Sequence, residues 1–209
     1  MKAQKIRFPL KELVSENEIY TAALRHDWLW WDKTLANEDN PYEVVWITDD
    51  EKNTIHYIDD HLINLRYLVV QGEAVDEIAK QIHSSLATYT REEIRQTVEE
   101  ATTRDQYIHA IYQVGIAAPQ DYDPELFEWF KIGLSNPDAK VRKATILAIG
   151  YVGWLEFRAV LQELKTNDPD QSVRQRASIL LEGYETSAQT DSIDNQMNWV
   201  LSIQFELSF

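Results

Sequence analysis

Apolar residues recur along this chain at two spacings, and the spacing changes more than once. Between Lys11 and Leu35, the residues Leu13, Val14, Tyr20, Leu24, Trp28, Trp31 and Leu35 fall three, four and seven apart, which predicts a helix. The breakers in Asn37–Pro41 end it. Tyr42–Thr48 and Thr54–Ile58 are β-rich runs around the polar turn Asp49–Asn53, a predicted hairpin. Leu65–Val70 predicts a third strand, stopped by Gly72, and Ala74–Leu86 returns to the helical period with Val75, Ile78, Ala79, Ile82 and Leu86 on one face. Residues 1–87 therefore read as a small α+β unit whose three-stranded sheet is covered by helix.

From 88 to 185 only the helical period remains. Helices are expected over 91–102, 104–116, 124–134, 138–152, 155–165 and 171–184, with breaks at Pro119, Asn136-Pro137-Asp138, Gly153 and Asp168-Pro169-Asp170. Helices of about three turns with short connections suggest stacked antiparallel pairs. Residues 186–209 start as a polar linker and end in strict alternation. Leu201, Ile203, Phe205, Leu207 and Phe209 point one way, and Ser202, Gln204, Glu206 and Ser208 the other. A strand over 199–208 is expected to pair at a sheet edge, since a lone strand is unstable in water. The edge could belong to this chain or to a second copy, which would make a homodimer.

A repeat runs through the helical part. Asn136-Pro137-Asp138-Ala139-Lys140-Val141-Arg142 matches Asp168-Pro169-Asp170-Gln171-Ser172-Val173-Arg174, and Ala110–Gly115 matches Ala148–Gly153. These residues resemble HEAT repeats, including those of phycobilin-lyase-like proteins, closely over about 123–185 and loosely over 88–122. The resemblance implies a mainly α chain: a HEAT-like α-solenoid of about three helical pairs, preceded by the small α+β unit and followed by the C-terminal strand. It also implies a concave binding face built from the second helix of each pair, 104–116, 138–152 and 171–184, with Lys140, Lys143, Glu182 and Glu185 outward. In such stacks Arg142 and Arg174 would bond aspartates of the neighbouring repeat, as structural rather than ligand-binding residues.

Charge narrows the partners. The chain carries 20 Lys+Arg against 35 Asp+Glu, a net charge of −15. Residues 1–87 contribute −7, residues 88–185 contribute −5 and the tail −3, so no segment is basic. Nucleic acid and anionic lipid would be repelled, whereas a basic protein would be attracted and steered in. A HEAT-type DNA-repair enzyme is disfavoured by the same sign, although an acidic mimic of DNA is compatible with it. There are no cysteines, which excludes disulfides and thiolate chemistry. Residues 1–13 carry Lys2, Lys5, Arg7 and Lys11 without the apolar run of a signal peptide, and no stretch approaches the ~18 apolar residues of a membrane span. A soluble cytoplasmic protein is expected.

Chemistry-bearing clusters are few. His56, Asp59, Asp60 and His61 are the densest set of ligand-type side chains. Their spacing matches no metal motif, and on a strand the two histidines would face opposite sides, so a strand end with an acidic turn is preferred to a metal site. Trp28, Trp30 and Trp31 cannot share one side of a helix, so either at least one is exposed or at an interface, or the helix is buried between two layers. Trp30 and Trp31 are the candidate partner-binding residues, since interface anchors are often tryptophan. No phosphate-binding glycine loop, nucleophile elbow or zinc-protease motif occurs. The expected function is a non-catalytic protein-binding module without a cofactor, such as a regulatory or immunity-type inhibitor. The alternative is a phycobilin-lyase-like factor, for which a tetrapyrrole pocket could draw on Trp129, Trp154 and Tyr151.

Overall fold

The basic residues at the start of the chain alternate with Ile6 and Phe8, and in the computed structural model, which describes residues 4–38 and 40–189, they form strand β1 (Gln4–Pro9). Helix α1 (Glu16–Arg25) follows. The Ser15 hydroxyl accepts the Glu18 N–H and the Glu18 carboxylate accepts the Ser15 N–H, a reciprocal cap that starts the helix. The helix ends early, at His26, and Asp27 turns the chain with a φ of 57°. Strands β2 (Leu29–Thr34), β3 (Tyr42–Ile47), β4 (Asn53–Asp60) and β5 (Leu65–Gly72) then precede helix α2 (Val75–Ser85). The sheet order is β1-β5-β4-β3-β2, and every neighbouring pair is antiparallel.

Alternation puts Phe8, Val44, Trp46, Ile55, Tyr57, Leu68 and Val70 on one face of the sheet, while Ile58, Tyr67 and Val69 are buried on the other. Ile19, Ala22 and Ala23 of α1 and Val75, Ile78 and Ile82 of α2 pack with the first face into one core. The Tyr42 hydroxyl donates to Glu16, tying the first turn of α1 to β3. At the far end of the sheet Gly72 takes a φ of 148°, and a Cβ there would sit 2.3 Å from the Lys52 carbonyl oxygen, so only glycine fits.

The chain divides into two units, Met1–Arg95 and Gln96–Phe209, with the boundary inside helix α3 (Arg91–Glu100). The second unit continues with α4 (Arg104–Ala117), α5 (Pro124–Leu134), α6 (Ala139–Val152), α7 (Arg158–Asn167) and α8 (Gln171–Gln189). The starts of α4, α5, α6 and α8 are set by the capping residues Thr103, Asp123, Asp138 and Asp170, and α6 stops at Gly153, which is left-handed at φ 73°. Arg142 donates two hydrogen bonds of 2.7 Å to Asp168, and Arg104 bonds Asp138.

The expected mainly α architecture is overturned. The sheet has five strands rather than three, it occupies the first unit with α1 and α2, and no solenoid is shown among the described residues. Two strands escaped the periodicity. β1 lies in a basic stretch, and β2 hides inside an apparent helix because Trp28, Trp31 and Leu35 happen to fall on helical spacing. A concave face on the second helices is also incompatible with α6, which is buried without interruption from Ala144 to Val152. A helix covered on every side cannot line an open groove. α8 runs past Thr186, where the linker was expected, and the alternating segment 199–208 lies outside the described residues.

Helix α4 packs so closely on α6 that a Cβ on Gly115 would lie 2.9 Å from the Ala148 carbonyl oxygen and 3.0 Å from the Ala148 Cβ. Gly115→Ala is therefore expected to destabilise by about 1–3 kcal/mol through overpacking, against alanine's intrinsic helical advantage of ~1 kcal/mol. Gly150 should behave oppositely: its added Cβ would meet only Leu180 Cδ1, at 3.8 Å, so Gly150→Ala should gain up to ~1 kcal/mol. Urea melts of the two variants check the opposite signs; a gain at both positions would contradict the close helix crossing.

Candidate functional site

β2 is one of the two edge strands of the sheet, and all six of its residues are exposed. Edge strands leave a row of backbone N–H and C=O groups without ladder partners and are ordinarily blunted by charge. Asp32 and Lys33 supply some charge here, but the first half of β2 is apolar. Trp30 is 59% exposed, Trp31 62% and Leu29 46%. Leu24 at the end of α1 and Leu35 just beyond β2 are exposed further still.

The register explains how two adjacent tryptophans reach solvent. Trp30 pairs with Trp46 and Asp32 with Val45, so a bulge makes both Trp30 and Trp31 oppose the single residue Trp46. Trp46 is buried, with the Tyr20 ring of α1 edge-on at 5.3 Å. Leu24 lies one helical turn beyond Tyr20, on the same flank of α1. Trp46 thus has the Tyr20 ring of α1 against it and the Trp30–Trp31 bulge as its neighbour on the edge strand, and Leu24 continues the Tyr20 flank of α1. Trp28 belongs to the interior instead: it is buried, its indole N–H donates to Gln81 Oε1 at 3.0 Å, and it stacks on His26. On the other flank the Lys33 ammonium sits 4.8 Å over the Tyr42 ring.

The remaining residues singled out from sequence do not join this surface. Lys140, Lys143, Glu182 and Glu185 lie in the helical unit and fall into two groups. Lys143 acts electrostatically on Asp170 at the start of α8, while Gly150 packs by Leu180. α6 and α8 therefore run parallel, and Glu182 and Glu185, beyond Leu180, are at the opposite end from Lys140 and Lys143. His56 is held on both nitrogens, by Glu43 at 2.8 Å and Thr54 Oγ1 at 2.9 Å. Asp60 is buried and accepts from the Leu62 N–H and the Tyr67 hydroxyl, while Asp59 and His61 are exposed. Among the described residues no three His, Asp or Glu side chains are placed to hold a metal.

Lys5 lies on the sheet face opposite the core, where burial, reinforced by Arg7 and opposed by Glu43, pushes its ammonium down to about 7. A cleft of about 340 Å³ in the helical unit is lined by Lys131, Leu134, Ser135, Val160, Glu163, Leu164, Asn167 and Asp168. None of Trp129, Tyr151 and Trp154 lines it. Trp154 is buried instead, stacked on Phe157 at 5.9 Å with its indole N–H donating to the Pro119 carbonyl.

The sequence singles out Trp30 and Trp31, which are exposed, but not the exposed Leu24, Leu29 and Leu35. A signal existed for Leu24: once Ile19, Ala22 and Ala23 are assigned inward, a leucine at 24 faces out. No family profile, curated protein or solved structure matches the chain. Among the described residues no helix is long and apolar enough to cross a membrane.

Proposed function

We propose that this protein is a non-catalytic binding module that captures a basic protein partner, and that the partner docks on the apolar edge formed by β2 and the end of α1. The observation that carries this reading is the exposure of Trp30 and Trp31 beside each other on an edge strand. Exposed apolar patches of this kind mark interaction surfaces, and tryptophan is the residue most enriched among binding hot spots. The net charge of −15 favours a cationic partner and speeds its encounter at low salt. Within this reading a regulatory or inhibitory role follows naturally, because a module that covers a basic surface denies it to other acidic ligands.

A photo-crosslinking residue at position 35, next to the surface, identifies the partner in extracts of the native source. With that partner purified, Trp31→Ala is expected to weaken binding by about 2 kcal/mol or more, with the melting temperature little changed. Raising salt should lower the association rate more than it raises the dissociation rate. Full affinity in both Trp30→Ala and Trp31→Ala would remove the surface from the account.

A further inference from the structure

Resting on that reading of the surface, we propose that β2 takes up an extended, arginine-bearing segment of the partner as a sixth strand of the sheet. Among the described residues nothing pairs with the outer edge of β2, and main-chain pairing to such an edge is a general mode of peptide capture. The bulge sets what the added strand would meet. With Trp30 and Trp31 both opposite Trp46, side chains on that face of an incoming strand would lie against indole rings, which favour guanidinium groups by cation–π attraction.

Charge near the edge agrees. Asp27, Asp32 and Glu38 are exposed along this stretch. The same stretch carries two cations, Lys33 over the Tyr42 ring and Arg25 at the Ser85 hydroxyl, which leaves the three carboxylates in excess. A second copy of the chain fits less well. Each copy carries a net charge of −15, so the encounter of two copies is opposed at long range.

The test uses the full chain and three synthetic octapeptides of alternating residues: Arg-Val repeats, Glu-Val repeats, and Arg-Val repeats N-methylated along one backbone edge. Tryptophan fluorescence reports binding, and amide hydrogen exchange reports protection at residues 29–34. The arginine peptide is expected to bind and to slow exchange in β2, while the glutamate peptide does not bind. N-methylation is expected to weaken binding at least tenfold, and so is Asp32→Lys, which leaves both rings in place and guards against misfolding of a tryptophan variant.

Equal binding of the N-methylated peptide would overturn strand addition while leaving the module reading intact, because side chains alone would then be docking. β2 amides already protected in a dimer, with no arginine peptide bound, would give the edge to a second copy and also overturn the proposal. Loss of the partner effect at Trp31 with peptide binding retained would sink the module reading instead.

Discussion

Replacing Arg142 with alanine is expected to destabilise the helical unit by about 3–5 kcal/mol, the usual result of removing one member of a buried ion pair. The guanidinium and the Asp168 carboxylate are 9% and 3% exposed and are joined by two parallel hydrogen bonds of 2.7 Å. Arg142 also donates to the carbonyls of Asn136 and Pro137, so one side chain holds the turn before α6 and the turn before α8 together. Without it Asp168 would be left as a largely buried carboxylate with no cation beside it. Burial works to raise the Asp168 pKa, but hydrogen bonds from Arg142 and the Asp170 N–H hold it below the usual carboxylate range. A carboxylate lowered on folding stabilises fully above its unfolded pKa of about 3.9, and that contribution is lost as pH falls through the lower folded value. The wild type should therefore lose this contribution only in strong acid, whereas Arg142→Ala lacks it at neutral pH. Urea denaturation at pH 7 measures the difference, and Arg142→Met with Asp168→Leu should recover part of it by leaving no orphaned charge. A loss below about 1 kcal/mol would place the pair with solvated surface bridges.

The same ion pair shows what the sequence made legible. The repeated Asn/Asp-Pro-Asp-x-x-Val-Arg marks turns and caps, local features that period and turn chemistry reveal; Arg142 bonds across to Asp168 as expected, whereas Arg174 donates to the Asp168 and Pro169 carbonyls of its own turn. β3, β4 and β5 were equally visible, because their β-branched and aromatic residues stand between clear turns. β1 and β2 were not. Ile6 and Phe8 are too few to fix a period, and a strand of Leu, Trp, Trp, Asp, Lys and Thr has neither clean alternation nor a breaker ahead of it. The left-handed Asp27 that ends α1 left no signal stronger than the helical spacing of Trp28, Trp31 and Leu35. The overall arrangement of the helices was misjudged for a different reason. A repeat fixes the shape of one turn, whereas an open solenoid face requires one side of each second helix to stay uncovered, and α6 is buried throughout its second half. For the candidate surface, tryptophan density was a correct clue to exposure, but the pairing that makes it a sheet edge is long-range and left no trace in a local window.

Trp46→Ala should be the most damaging change in the sheet unit, at about 3–5 kcal/mol for emptying a buried tryptophan site. Trp46 is 2% exposed, stands between the Tyr20 ring and the sheet, and faces Ile55 on one side and the bulge on the other. Its removal takes away the floor against which Trp30 and Trp31 are registered, so exchange of the 29–34 amides should speed up and partner affinity should fall together with stability. Trp30→Ala offers the contrast. Its ring is mostly in solvent, and surface substitutions ordinarily change stability by about 0.5 kcal/mol or less, so binding should fall while the urea midpoint holds. Thermal and chemical melts of the two variants beside binding measurements separate these roles. If Trp30→Ala unfolded the sheet as readily as Trp46→Ala, Trp30 would be a structural member of the edge, and its exposure would no longer argue for a docking surface.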